Sequence, residues 1–184
     1  MRWLPVSVLA VLMLGPHLSA GQTKTVQASL FSVSARQTAP DFVLKDGSGK
    51  SVRLSDYRGT VVLLDFWATK CGGCVEEIPM FIQVAHAYRG KGLRAIGVSE
   101  DIIYENLPGG SAQAWGQVKS FVRDHNISYP VVVDDVEVHR SYNITALPLT
   151  YLIDVRGRVA ATYTGVVDRA NLEANITQLL SEGR

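Results

Sequence analysis

Cysteine is scarce in this sequence. The 184 residues include 2 cysteines, Cys71 and Cys74, and both belong to one Cys-x-x-Cys motif. Two cysteines cannot form a framework of several disulfides, and they cannot supply the four thiolates of a structural zinc site or an iron–sulfur cluster. The pair is therefore either a redox centre or an accident of spacing.

An excess of charge of either sign is also missing. The sequence has 18 Lys and Arg residues against 17 Asp and Glu residues, which gives a formal net charge of +1. This balance argues against a nucleic-acid-binding protein, which needs a basic surface. A hydrophobic content of 47% is typical of globular proteins, and the length fits one domain of ordinary size.

The sequence has no hydrophobic run long enough to span a membrane. Residues 3–14 form an apolar run of about 12 residues after Met1 and Arg2, whereas a spanning helix needs roughly 20. A positive start, a short apolar core and the small residue Ala20 indicate a secretory signal peptide over residues 1–20. We expect an exported, periplasmic protein. The alternative is an uncleaved N-terminal segment that anchors the protein to the inner membrane.

The remaining residues divide into a short leader, residues 21–34, and one domain, residues 35–184. Residues 39–54 predict a β-hairpin, and the order β-α-β-α-β followed by β-β-α predicts a mixed central sheet with helices on both faces. The predicted strands of that sheet cover residues 61–67, 93–99, 129–133, 149–154 and 159–163. Residues 102–111 fit no element and predict a surface loop.

The cysteine pair falls where a buried strand ends and a helix begins. Residues 68–70 form the predicted turn, and the helix begins at or just after Cys71. The positive end of the helix favours a thiolate, and the adjacent Lys70 can favour it further. Cys71 is therefore the predicted exposed, attacking thiolate. Cys74, about one helical turn later, is the residue that resolves a mixed disulfide.

Two acids are candidates for proton transfer. Asp65 lies within an otherwise apolar strand, and burial would raise its pKa so that it can take the proton of Cys74. The alternative is an Asp bonded to a backbone group or a lysine. Glu77 lies one turn after Cys74, and its alternative is a solvated helix residue.

Metal binding is the main competing interpretation of the cysteines. His86 lies on the same predicted helix as Cys74 but roughly 18 Å away at 1.5 Å per residue. His125 and His139 lie on other elements, and no paired spacing predicts that they converge. The sequence therefore predicts no metal site and no cofactor.

Two further motifs have structural as well as functional interpretations. Pro148 directly precedes a predicted strand. It is either a cis proline in a tight turn or a trans proline at a strand start. Three peptides match Asn-x-Ser/Thr, at Asn126, Asn143 and Asn175, and they matter for glycosylation only if the host glycosylates secreted proteins.

A family resemblance is carried by the segment around the cysteines. Residues 66–79, FWATKCGGCVEEIP, resemble the TlpA/ResA-like family of secreted and membrane-anchored thioredoxin-like proteins, which are related to AhpC/TSA proteins. The resemblance extends to APDF at 39–42, LSDYRG at 54–59 and LPLTYLID at 147–154, and so covers about residues 35–180. It implies an α/β thioredoxin fold with a central mixed β-sheet flanked by helices and an N-terminal β-hairpin extension.

The resemblance also implies roles for residues around the pair. It places Pro148 in cis beside the disulfide, where the backbone of Leu147 can pair with an extended substrate segment. The residues that we expect to bind substrate are Leu147, Pro148, Trp67 and Lys70.

The two acids match the family as well, but the motif itself departs from it. Asp65 matches the buried acid of thioredoxin, and Glu77 matches the family's usual acid after the second cysteine. Lys70 stands where the family usually has Trp, and Gly73 stands where it usually has Pro, so that the site reads Cys-Gly-Gly-Cys. The longer segment 102–111 can shape a partner surface.

The resemblance implies an exported thiol–disulfide oxidoreductase, most often a reductant of protein disulfides, including those of apocytochrome c before haem attachment. Its expected partners are protein thiols and disulfides and a membrane thiol electron donor. We expect no nucleic acid partner and a monomer. The alternatives are a disulfide oxidant or isomerase, and a copper metallochaperone, which usually carries Cys-x-x-x-Cys and a partnering His.

Overall fold

The computed structural model describes residues 24–183, and the predicted signal peptide, residues 1–20, lies outside them. The strands are β1 (Val43–Lys45), β2 (Ser51–Arg53), β3 (Val61–Trp67), β4 (Leu93–Ser99), β5 (Val131–Val133), β6 (Leu149–Ile153) and β7 (Val159–Thr164). The helices are α1 (Gly72–Arg89), α2 (Asp101–Tyr104), α3 (Gly110–Asp124), α4 (Glu137–Ser141) and α5 (Arg169–Glu182). None of the described helices is both long and apolar enough to cross a membrane.

The predicted mixed sheet is confirmed. Its strand order is β5-β4-β3-β6-β7. β4 runs parallel to both β3 and β5, whereas β6 runs antiparallel to β3 and to β7. The predicted hairpin forms a separate two-stranded sheet from β1 and β2. All seven residues of the central strand β3 are buried, as its continuous apolar run predicts for a strand covered on both faces.

The alternation of side chains along β3 divides the core into two layers. Val61, Leu63 and Trp67 pack with α1, α3 and α5 on one face. Phe66 and the other even-numbered residues pack with the hairpin and α4 on the other face. Because successive side chains of a strand point to opposite faces, Asp65 faces the layer that contains α1 and the cysteines.

The segment predicted as a surface loop is more ordered than expected. Residues 101–104 form the one-turn helix α2, and α3 begins at Gly110, so the irregular part is limited to residues 105–109. The amide of Glu105 donates to the carbonyl of Asp101 and closes the turn. The prediction of a loop is wrong at both ends of the segment, because the turn signals around Pro108 describe only residues 105–109.

The described part of the predicted leader packs along the edge of the domain. Val26 pairs with Val167, and the amide of Phe31 donates to the carbonyl of Ala160 in β7. The side-chain amide of Asn175 on α5 donates to the carbonyl of Ala28. These contacts make residues 24–34 part of the folded surface.

The three Asn-x-Ser/Thr motifs have structural roles. Asn126 and Asn143 follow α3 and α4 with φ values of 54° and 48°, a left-handed conformation that asparagine tolerates better than most residues. Asn175 is buried, and its amide also donates to the hydroxyl of Tyr163. A glycan on Asn175 would displace these hydrogen bonds.

Candidate active site

The two cysteines form a disulfide at the start of α1. Cys71 is the N-cap of the helix, and its sulfur accepts a hydrogen bond from the amide of Cys74 at 3.3 Å. The predicted helix start is therefore confirmed. The sulfur of Cys71 lies where the partial positive charge of the helix N-terminus acts, which is the setting that stabilises a thiolate.

Cys71 is less accessible than the sequence predicts. Cys71 is 4% exposed and Cys74 is fully buried. The prediction of an exposed Cys71 is therefore wrong for the disulfide form, in which the residue is almost entirely covered. Of the two residues, Cys71 is the more accessible. This order suits an attacking Cys71 and a shielded Cys74.

The loop before β6 covers Gly73, the second of the two glycines between the cysteines. The Leu147–Pro148 peptide bond is cis, as the family resemblance implies. A Cβ atom on Gly73 would lie 3.3 Å from the ring of Pro148 and 3.2 Å from the side chain of Val166. Gly73 therefore permits the close approach of two loops that come from distant parts of the sequence.

A groove runs from Leu147 toward α2. It has a volume of about 160 Å³. Its lining residues are Glu100, Ile103, Tyr104, His139, Ile144, Thr145, Ala146 and Leu147. We call it the α2 groove, and it places apolar side chains directly beside the cis-proline loop.

Lys70 is held by an acid that the sequence analysis did not single out. Its ammonium group forms an ion pair with Glu105. Although burial acts in the opposite direction, the hydrogen bond from Lys70 contributes to a lowered pKa of Glu105. The pair reduces the positive potential that Lys70 alone would provide at Cys71, so Lys70 favours the thiolate less than its position in the sequence suggests.

Trp67 supports the site from beneath. It is fully buried, and its ring stacks on Phe121 with a centroid distance of 4.9 Å. Its carbonyl accepts a hydrogen bond from the amide of Glu100. The direct substrate contact predicted for Trp67 does not fit this burial, because a substrate cannot reach the ring.

The two candidate acids, Asp65 and Glu77, lie in the interior with few partners. Neither oxygen of Asp65 has a hydrogen-bond partner within residues 24–183. One oxygen of Glu77 accepts a hydrogen bond from the amide of Val167 at 3.1 Å, and the other has no partner in the same range. The alternatives of a backbone-bonded Asp65 and a solvated Glu77 therefore do not describe the structure.

The environment raises the pKa of both acids. Burial raises the pKa of Asp65 to about 8. Burial and then the charge of Asp65 raise the pKa of Glu77 to about 9. A group with a pKa near neutrality can both accept and return a proton, so the raised pKa of Asp65 suits proton exchange with a buried thiol of the same core layer, such as Cys74.

Some residues of the site carry no recognisable signal in the sequence. Glu105 and Val166 act through contacts between distant segments. Asp101 is buried and accepts hydrogen bonds from Thr69 in the turn before Cys71. Only the assembled fold brings these residues to the cysteines.

Comparisons with known proteins agree with this geometry. The model of the AhpC/TSA family matches residues 35–162. The thiol–disulfide oxidoreductase ResA of Geobacillus kaustophilus (strain HTA426) is 33% identical over 151 residues, which cover 80% of this chain and 79% of the relative. ResA of Bacillus subtilis (strain 168) is 34% identical over 139 residues, which cover 74% of this chain and 70% of the relative.

A solved structure is similar in fold and in sequence. The thioredoxin domain of a thiol–disulfide oxidoreductase from Bacteroides vulgatus superposes with a TM-score of 0.64 and 27% identity. The match covers 78% of this chain and 96% of that domain. The mixed sheet and its flanking helices therefore form a thioredoxin fold.

Proposed function

The chain belongs to the AhpC/TSA family and is a ResA-like thiol–disulfide oxidoreductase; from this premise we propose that it is an exported reductant of protein disulfides. One observation carries the proposal. The Cys71–Cys74 disulfide lies at a helix N-terminus, beside a cis-proline loop and in the same core layer as two acids whose pKa values are raised.

The first step is attack on the substrate. In the reduced protein, the thiolate of Cys71 attacks one sulfur of a substrate disulfide. A bond forms between Cys71 and that sulfur, the substrate disulfide breaks, and the other substrate sulfur leaves as a thiolate that takes a proton from solvent. The backbone of Leu147, next to the cis proline, is the proposed contact for the substrate segment.

The second step resolves the mixed disulfide. The carboxylate of Asp65 takes the proton of Cys74. Burial and then the charge of Asp65 raise the pKa of Glu77 to about 9, so Glu77 stays protonated near neutral pH. The thiolate of Cys74 attacks the sulfur of Cys71, the Cys71–Cys74 disulfide forms, and the second substrate sulfur leaves as a thiolate. Two electrons have then passed from the protein to the substrate.

Export determines how the Cys71–Cys74 disulfide must be reduced again after each reaction. Residues 1–20 have the pattern of a secretory signal peptide, and residues 35–184 form the proposed catalytic domain. An exported dithiol meets an oxidising compartment, so we propose a membrane thiol donor as its electron supply. A substrate that must be kept reduced in such a compartment is apocytochrome c before haem attachment, which makes cytochrome c maturation the proposed role.

The reduction potential tests the direction of electron flow. The protein is equilibrated with glutathione buffers, and the fraction of disulfide is measured by alkylation and mass spectrometry. A potential close to that of thioredoxin, about −270 mV, supports a reductant. A potential close to that of DsbA, about −120 mV, would instead assign an oxidant and contradict the proposal.

Trapping tests the substrates. Cys74→Ala should accumulate mixed disulfides on Cys71 in the exported fraction of the native host, and these should include apocytochrome c. The matched control lacks both cysteines and should capture nothing. Absence of any mixed disulfide on Cys74→Ala would contradict exchange catalysis.

A further inference from the structure

A second cluster of ionisable side chains lies at the carboxyl ends of β4 and β5. Glu100 directly follows β4, Asp134 directly follows β5, and His139 lies on the short helix α4. One ligand atom of each residue lies within 4.8 Å of those of the other two. The cluster contains no residue of the proposed thiol chemistry.

Both carboxyl groups of this cluster are buried, and one oxygen of Glu100 has no hydrogen-bond partner among residues 24–183. Glu100 is 2% exposed and Asp134 is 1% exposed. The Nδ1 atom of His139 lies 2.7 Å from one oxygen of Glu100, and the other oxygen of Glu100 is buried with no hydrogen-bond partner among residues 24–183. Two acids in this setting require a proton or a cation between them.

The backbone orients the potential ligands. Asp134 accepts hydrogen bonds from the amides of Asp135 at 2.6 Å and of His139 at 3.0 Å, one on each carboxylate oxygen. A carboxylate oxygen has a second lone pair that remains free for a ligand bond. Outer contacts of this kind fix carboxylate ligands in metal sites. The backbone of Glu100 is also held in place, because its amide donates a hydrogen bond to the carbonyl of Trp67 at 2.8 Å.

We propose that Glu100, Asp134 and His139 bind one divalent metal ion, and that the donor set favours Zn²⁺. Ca²⁺ and Mg²⁺ prefer oxygen ligands alone, whereas Zn²⁺ accepts carboxylate oxygens together with an imidazole nitrogen. Three protein ligands leave one position of a tetrahedral ion for water. Glu100 and His139 line the α2 groove, which gives water and the ion a route to the cluster.

The first experiment measures binding to the oxidised protein, in which the disulfide leaves no free cysteine to compete for the metal. The protein is treated with EDTA, dialysed and titrated with Zn²⁺ by calorimetry. We expect one saturable site per chain, and at least tenfold weaker binding for Glu100→Gln and for His139→Asn. His86→Asn, which changes an exposed histidine on α1, is the matched control and should bind like the unaltered protein.

The second experiment guards against variants that fail to fold. Co²⁺ replaces Zn²⁺ in the unaltered protein, and the ring signals of the histidines are followed by NMR. We expect the paramagnetic ion to shift the ring signals of His139 and to leave those of His86 in place. The proposal is wrong if no saturable binding occurs below roughly 1 mM Zn²⁺, the dissociation constant of the weakest protein Ca²⁺ sites, or if Co²⁺ leaves the ring signals of His139 unchanged.

Discussion

Two buried aspartates of the same sheet have opposite environments. Asp154 directly follows β6, and its carboxylate accepts hydrogen bonds from Arg36 and Arg158. Asp65 in β3 has no hydrogen-bond partner for either oxygen within the described residues. Although burial acts against it, the hydrogen bonds from Arg158 contribute to a lowered pKa of Asp154, whereas burial alone raises that of Asp65. Burial is common to both, so the partners decide which acid is structural and which can exchange protons.

The largest expected effect comes from removing Asp154, the aspartate whose carboxylate has hydrogen-bond partners. Asp154→Ala removes the carboxylate that accepts hydrogen bonds from Arg158 and, at 3.3 Å, from Arg36, whereas Arg36 keeps its hydrogen bonds to Glu182. The loss of these charge-assisted hydrogen bonds should lower the free energy of unfolding by about 3 kcal/mol. Urea denaturation at pH 7 measures the change. Asp124→Ala removes the acid of an exposed ion pair with Arg123, and this control should change stability by less than about 1 kcal/mol. A similar small loss for Asp154→Ala would remove the distinction between the two aspartates.

The second-largest effect comes from neutralising Asp65, the aspartate without a hydrogen-bond partner among residues 24–183. Asp65→Asn removes the proposed base for Cys74, so release of substrate from the mixed disulfide should slow about 100-fold. Stopped-flow measurement of a fluorescent mixed disulfide on Cys71 follows this step. An unchanged rate would exclude Asp65 from proton transfer.

The same variant should be more stable than the unaltered protein, in contrast to Asp154→Ala. The folded-state pKa of Asp65 is raised from 3.8 to about 8, so its ionisation opposes folding and the free energy of unfolding falls as pH rises between about 4 and 8. Asp65→Asn has no carboxyl group to ionise at this position, so its free energy of unfolding does not fall for this reason. Its advantage in urea denaturation of the oxidised protein should grow from pH 5 to pH 8 and exceed about 1 kcal/mol. A constant difference across this range would contradict the raised pKa.

The smallest effect concerns an acid with a partner near the surface. Glu105→Gln releases Lys70 beside Cys71, and should increase the alkylation rate of reduced Cys71 at pH 6 about twofold, because solvent weakens such pairs. Lys70→Met should decrease the rate by a similar factor, and the double variant should return close to the unaltered protein. Equal rates in all four proteins would show that the ion pair does not influence the thiolate.

The sequence predicts what depends on local patterns. The apolar run of β3 and the change of period after Cys74 place the cysteines at a strand-to-helix junction, and Asp65 stands out as the acid of an otherwise apolar strand. It does not predict contacts between distant segments. The pairing of Lys70 with Glu105 and the approach of His139 to Glu100 depend on how loops converge at one end of the sheet.

Burial of single residues is also beyond the sequence. Trp67 and Cys71 both lie next to a predicted turn, where side chains are often accessible. The cis-proline loop and Val166 pack against Gly73, between the two cysteines, and both come from segments more than 70 residues further along the chain. The sequence therefore identifies the reacting atoms better than it identifies their exposure.

The edge contact of Val26 has a practical consequence for chains shortened at the start. Val26 forms two backbone hydrogen bonds with the segment 166–168. Its amide donates to the carbonyl of Val166, and its carbonyl accepts from the amide of Asp168. The amide of Val167, between these two bonds, is the one that donates to Glu77. Expression versions trimmed beyond residue 26 would lose the restraint on the peptide group that holds this acid, and so would change the chemistry being assayed while leaving both cysteines in place.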